Sequence, residues 1–149
     1  GPTTPLDAYT TTTPYRNIEH PFNLVQLAAA AGAIYVARWT AIHPRRLKEC
    51  IKKALQKRGF CFIEVISPCP EEFGRRNRMG TAVDYMRWLR EVSVMARRPD
   101  PSEARIGPDE IVVGEFVDLE GREEFTDLVW AQVEEARARA ERGELRLAL

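Results

Sequence analysis

The chain reads as an α/β protein built on a parallel sheet, with an appended α+β tail. Three observations predict that class. Helix, strand, helix and strand patterns follow one another from Phe22 to Ile66. The second strand candidate, Phe-Cys-Phe-Ile-Glu-Val-Ile at 60–66, is nearly continuously apolar, as a strand covered on both faces would be. A length of 149 residues with 44% hydrophobic content is enough for one domain with a real core.

The elements follow in order. Residues 1–21 hold four of the ten prolines and the Thr run 10–13, so a long surface-hugging loop is expected, because proline removes a donor and Thr resists helix. Residues 23–31 predict a short helix with Leu24, Leu27 and Ala28 on its inner face, ended by Gly32. Residues 33–38 (AIYVAR) make a compact strand candidate. Pro44 suits a first helical position. Behind it Leu47, Cys50, Ile51, Ala54 and Leu55 repeat with helical spacing, while Arg45, Arg46, Lys48, Lys52, Lys53 and Lys57 are expected to face outward. Gly59 closes that helix and the strand at 60–66 follows, completing a β-α-β unit, for which the right-handed, parallel arrangement is the rule.

Ser67-Pro68-Cys69-Pro70 therefore stands at the carboxyl end of a buried strand, the end at which open α/β sheets bind ligands. A polar loop with Arg75, Arg76, Asn77 and Arg78 comes next. Residues 81–96 predict a helix with Ala82, Tyr85, Met86, Leu89 and Val92 inward. A Pro-rich connection leads to a strand at 111–117, interrupted by Gly114. The last helix, about 122–142, is expected to bury Phe125, Leu128, Val129 and Val133 and to expose alternating Glu and Arg.

Composition narrows the function. With 22 Lys+Arg against 22 Asp+Glu the net charge is zero, which gives no bulk electrostatic reason to bind nucleic acid or an anionic membrane. The longest apolar stretch, around 27–36, is too short and too rich in Ala and Gly to span a bilayer, and no secretion signal opens the chain. Three cysteines without CxxC spacing argue against a disulfide framework and for a reducing, intracellular compartment.

Familiar nucleotide, hydrolase and zinc motifs are absent. His20 and His43 each precede a proline and read as loop or cap histidines. Cys50 and Cys61 lie on apolar faces and read as small core residues. Cys69, in a turn stiffened by Pro68 and Pro70, suits a fixed ligand or nucleophile. A structural role stays open beside that one, and one thiolate cannot hold a cluster or zinc without partners from elsewhere. The Arg75–Arg78 segment suits phosphate, a carboxylate or coenzyme A, against the favoured reading of a solvated or subunit-facing basic loop. Glu64, in mid-strand, needs a partner and is expected to find one on a neighbouring helix or subunit.

Several segments taken in order resemble one family: Gly1-Pro2-Thr3-Thr4-Pro5, TTPYRNIEHPFNL (12–24), AGAIYVAR (31–38), HPRRL (43–47) and GFCFIEVISPCPEEFGRRN (59–77). They are similar to the β subunit of the thiamine diphosphate-dependent 2-oxoacid:ferredoxin oxidoreductases, and the GRRN variant resembles the 2-oxoglutarate branch. The likeness is dense to about Leu89 and thinner beyond.

The resemblance implies that residues 1–70 are the C-terminal half of a thiamine diphosphate-binding α/β domain and residues 71–149 the C-terminal tail of the subunit. It implies thiamine diphosphate with Mg2+, held mainly by a GDG…N motif that this sequence lacks, and a [4Fe–4S] cluster whose fourth ligand, in the SPC turn, is Cys69. Cys50 and Cys61 match no family ligand. Thr3 and Thr4 would border the cofactor. The implied activity is CoA-dependent oxidative decarboxylation of a 2-oxoacid with electrons passed to ferredoxin, in the cytoplasm, by a chain inactive alone. Its partners would be the α subunit, the N-terminal half of the β subunit and ferredoxin, with no nucleic acid and no membrane. The alternatives are a non-catalytic assembly subunit and the pyruvate or branched-chain branch of the same family.

Overall fold

Asn23 starts the regular structure. Its Oδ1 accepts the Gln26 N–H at the head of α1 (Leu24–Ala30), and Gly32, at φ 86°, leads the chain out as expected. The buried face is Val25 and Ala28, whereas Leu27 stays half exposed. In a helix of seven residues the face is set by what it packs on, here Val36, Val112 and Phe116, more than by its own periodicity. The computed structural model describes residues 1–144, in two compact units that divide after Leu119.

Strand β1 (Tyr35–Thr40) is buried at every residue, and helix α2 (Pro44–Gln56) carries the chain over to β2 (Cys61–Ile66), which pairs parallel to β1 from Tyr35↔Cys61 to Thr40↔Ile66. Pro44 sits in the first turn of α2, where its missing N–H costs nothing. The inner stripe of α2 is narrower than its apolar pattern suggests: Cys50 is buried, Leu47 and Ala54 are partly so, and Leu55 is 81% exposed.

The polar prediction for α2 also needs correction. Lys53 turns to the sheet and pairs with Glu115 at 2.7 Å and Asp118 at 2.5 Å, and Lys57 pairs with Asp118 at 2.9 Å. Both amines lie over the Tyr35 ring, at 5.3 and 5.9 Å from its centre, where the face of the π system attracts a cation.

The sheet has the order β2-β1-β4-β3. Strand β4 (Ile111–Asp118) runs antiparallel beside β1, and the short β3 (Ser93–Met95) runs parallel to β4 at the far edge. Two parallel pairs thus meet at one antiparallel seam, and the sheet draws strands from both sides of residue 70. Strand β2 is an edge strand here and only partly covered, with Val65 exposed, in place of the two-sided cover its composition suggests.

Helix α3 (Ala82–Val92) opens with a capping box between Thr81 and Asp84 and buries Tyr85, Leu89 and Val92; Met86 and Ala82 stay outside. It stops short of the expected end because residues 93–95 pair with Ile111–Val113, and strand pairing outweighs helical continuation. Apolar side chains fill both faces of the sheet, Tyr35, Ala37, Trp39, Cys50, Tyr85 and Leu89 on one and Val25, Ala28, Val36, Val112 and Phe116 on the other. In the second unit α4 (Phe125–Glu141) buries none of its residues, and Phe125 is 76% exposed, contrary to the expected buried stripe.

Asp118 supplies a pH prediction. Burial works to raise its pKa, but the hydrogen bonds from Lys53 and then Lys57, with their positive charges, outweigh burial and hold the carboxyl below the usual aspartate range. A depressed folded value means that the stabilisation is full above the usual aspartate range and is lost as pH falls through the depressed value. Asp118→Asn is expected to cost about 2 kcal/mol at neutral pH. Its unfolding midpoint should also fall less steeply on acidification than that of the parent chain. Parallel pH profiles for the two proteins would disprove the role.

Candidate functional site

Strand β2 delivers the chain to Ser67-Pro68-Cys69 just past its carboxyl end. There Pro70–Gly74 forms a single π-helical turn, closed by the Gly74 N–H donating to the Cys69 carbonyl at 2.8 Å. Such turns are rare and recur at functional positions. Cys69 is exposed, and the backbone N–H groups of Phe73 and then Glu72 favour its thiolate and hold the thiol below its ordinary range. Phe73 packs on Tyr85 of α3, ring centres 6.3 Å apart, and anchors the turn to the core.

The other cysteines behave differently. Cys50 is buried, Cys61 is half buried, and burial pushes both thiols up. That environment suits core packing and disfavours a thiolate ligand. Among the described residues no group of three or more His, Cys, Asp or Glu is placed to hold a metal ion, so Cys69 stands as a single donor. Its exposure and its amide-favoured thiolate fit one ligand position of an iron–sulfur cluster completed from elsewhere.

Thr3 and Thr4 lie in the N-terminal loop. The buried Asn17 organises that loop: its Nδ2 donates to the carbonyls of Thr4 at 2.8 Å and Glu19 at 2.9 Å, and its backbone exchanges hydrogen bonds with Asp7 and Ala8. Thr3 lines a cavity of about 120 Å³ together with Asn23, Glu64 and Ala104. Glu64 finds its partner on the adjacent strand rather than on a helix or subunit. Arg38, fully buried, donates from Nε to the Glu64 carboxylate at 2.6 Å, and its other nitrogens reach the carbonyls of Ala104 and Arg105 and the Asn23 side chain. Arg38 and Glu64 face each other in the β1–β2 register.

Thr3 and Thr4 are not brought into hydrogen-bond contact with Cys69. The connection between their loop and the cysteine turn runs instead through Tyr9 and Thr11, which bond to Asn77 and Glu72. Arg75 pairs with Glu71 and Arg76 with Glu72 one turn back, all four exposed, so those pairs contribute little to stability. Arg76, Asn77 and Arg78 line an open recess of about 570 Å³ with Asp7 and Tyr9. His43 occupies the cap position of α2, its Nδ1 2.9 Å from the Thr40 hydroxyl, and burial followed by the Arg46 charge lowers its pKa. His20 is an exposed loop residue.

Sequence reasoning missed Asn17 and Arg38, and placed Asn77 only within the basic loop 75–78, without its partner. For Arg38 a signal existed: IYVAR (34–38) and FCFIE (60–64), laid side by side as parallel neighbours, place one basic and one acidic residue at matching positions. Nothing local pointed to Asn17 or to the pairing of Asn77 with Tyr9, because their partners are backbone groups brought in by the loop path.

Residues 1–65 match the family model described as the C-terminal TPP-binding domain of thiamine pyrophosphate enzymes. The 2-oxoglutarate synthase subunit KorB of Methanothermobacter marburgensis is 45% identical over 138 residues, which is 91% of this chain and 47% of that protein. The subunit of the same name from Methanocaldococcus jannaschii is 44% identical over 93% of this chain and 51% of its own length. A 2-oxoglutarate:ferredoxin oxidoreductase from Magnetococcus marinus, solved with 2-oxoglutarate, coenzyme A and succinyl-CoA bound, superposes with a TM-score of 0.64. That likeness is at 22% identity, over 99% of this chain and 48% of that one, and supports the fold. The chain spans about half the length of the curated relatives it matches. No helix of the described residues is long and apolar enough to cross a membrane.

Proposed function

We propose, from the premise that this chain belongs to the β-subunit family of the 2-oxoacid:ferredoxin oxidoreductases, that it forms part of a cytoplasmic enzyme acting on 2-oxoglutarate. In that enzyme the 2-oxoacid is oxidatively decarboxylated to an acyl-CoA and the electrons pass to ferredoxin. The observation that carries the reading is the 45% identity to 2-oxoglutarate synthase subunits across 91% of the chain. Residues 1–70 would complete the thiamine diphosphate-binding domain and residues 71–149 the subunit's tail. The partners would be the α subunit, the N-terminal half of the β subunit and ferredoxin.

Thiamine diphosphate with Mg2+, held mostly by residues outside this chain, would supply the carbanion chemistry, and a [4Fe–4S] cluster the single-electron path. This chain's own contribution is positional. Cys69 would offer one thiolate to the cluster from a turn fixed by Pro68, Pro70 and the Phe73–Tyr85 stack. Thr3 and Thr4 would border the cofactor from a loop that Asn17 holds in shape. Arg38 neutralises Glu64 beside the Thr3 cavity, so that no uncompensated charge stands there.

The test is anaerobic viologen reduction by the complete complex. Robust 2-oxoglutarate- and CoA-dependent reduction is expected, with pyruvate much poorer, and Cys69→Ser should bleach the visible iron–sulfur absorbance. No reduction with any 2-oxoacid from an intact complex would favour a non-catalytic assembly subunit. Unchanged cluster content in Cys69→Ser would remove Cys69 from the ligand set.

A further inference from the structure

The segment from Cys69 to Gly80 contains three kinds of restraint. Local backbone bonds shape it: Gly74 to Cys69, Asn77 to Phe73 and Met79 to Gly74, at 2.8, 3.0 and 2.8 Å. The Phe73 ring anchors it on Tyr85. Its hydrogen bonds to distant sequence, among the described residues, go to one place, the N-terminal loop.

Asn77 makes most of that link. Its Oδ1 accepts the Tyr9 N–H at 2.8 Å while its Nδ2 donates to the Tyr9 carbonyl at 2.9 Å, across 68 residues of sequence. A primary amide offers one acceptor and one donor at the spacing of a peptide unit, so Asn77 pairs with Tyr9 as a neighbouring strand would. The same Nδ2 donates to the Phe73 carbonyl at 2.8 Å, within the turn that begins at Cys69. One side chain thus binds the cysteine turn and the loop carrying Thr3 and Thr4. The Thr11 hydroxyl adds a second, exposed bond to Glu72 at 3.2 Å.

Neighbouring side chains cannot replace it. Arg75 and Arg76 are occupied by Glu71 and Glu72, and an arginine has no acceptor for the Tyr9 N–H. Aspartate is isosteric but loses both donors and would set a charge against two carbonyl oxygens.

We propose that Asn77 is a positioning residue, the clamp that fixes the Cys69 turn against the N-terminal loop and so sets where the cysteine sulfur sits. This deepens the function proposed above and rests on it. The potential of an iron–sulfur centre depends on hydrogen bonding to its sulfurs and on solvent access, so a loosened ligand turn should be visible at the cluster.

The experiment uses the complete complex with Asn77→Ala and with the isosteric Asn77→Asp. Iron content, the EPR line shape of the reduced cluster and its midpoint potential by redox titration are measured beside the unfolding temperature. The expected result is retained iron with a broadened EPR signal and a shifted midpoint in both variants, while Thr11→Ala stays close to the parent. Parent-like line shape and potential in both Asn77 variants would overturn the proposal. So would failure of both to assemble, which would make Asn77 a determinant of folding instead. Absence of any cluster signal from the parent complex would sink the functional reading itself, a result distinct from either of these.

Discussion

Arg38→Met is expected to destabilise the chain by about 3–5 kcal/mol, the cost of removing one partner from a buried ion pair. Arg38 is fully buried on β1, and Glu64, whose side chain is only 15% exposed, pairs with no other cation among the described residues. The substitution strands that carboxylate and also removes one donor each from the Ala104 and Arg105 carbonyls, which keep the Asn23 amide and the Val112 N–H. Methionine fills much of the volume, so the effect reports lost charge pairing and hydrogen bonding more than a cavity. The double variant Arg38→Met with Glu64→Leu should recover a large part of the loss, because replacing both members of a buried pair by apolar groups is often neutral. Denaturant midpoints for the parent, two single variants and double variant form the cycle that measures it. A cost below about 1 kcal/mol for Arg38→Met would mean that water reaches Glu64 freely and that the pair is not structural.

Gly114→Ala is expected to be nearly as damaging, by a different mechanism. Gly114 sits in the middle of β4 at φ 155°, and a Cβ there would lie 2.5 Å from the backbone oxygen of Ala96. Backbone strain of roughly 1–3 kcal/mol adds to an overpacking cost of about 1–3 kcal/mol, because the clashing atom belongs to the main chain and cannot rotate away. The neighbouring segment is tied by the Ala96 N–H to the Val113 carbonyl at 3.0 Å, so relief would come by peeling β3 from the edge of the sheet. Loss of hydrogen-exchange protection at Ala96 should accompany the lower unfolding midpoint. Full protection there with an unchanged midpoint would show that the edge yields at no cost. The glycine that looked like an interruption of a strand is what allows the strand its closest neighbour.

Much of the local structure is legible from residue order. Asn23 and Gly32 mark the ends of α1, Pro44 marks the start of α2, and the apolar run before Ser67 places Cys69 at the carboxyl end of a strand. These features depend on φ preferences, caps and side-chain periodicity, which act over a few residues. The motifs between Gly1 and Asn77 likewise pointed to a family that the comparisons with relatives support.

What the sequence left open is pairing between distant segments. An apolar strand pattern announces that β4 is buried but not that it inserts antiparallel beside β1, and three residues of β3 are too few to outweigh the helical pattern that runs into them. Lys53 and Lys57 turned inward because Glu115 and Asp118 came into reach, while Lys48 and Lys52 stayed outside, and α4 kept an exposed apolar face because no described residue of its own unit covers it. Arg38 with Glu64 and Asn77 with Tyr9 are of the same kind, since each side chain's role is decided by a group 26 or 68 residues away. By itself, then, the sequence determined the longer helices and strands, the ends of α1, the start of α2 and the place of Cys69, because those obey short-range rules. Only the tertiary structure decided strand order, charge partners and the clamp on the cysteine turn, because a hydrogen bond or ion pair depends on geometry that chain separation does not encode.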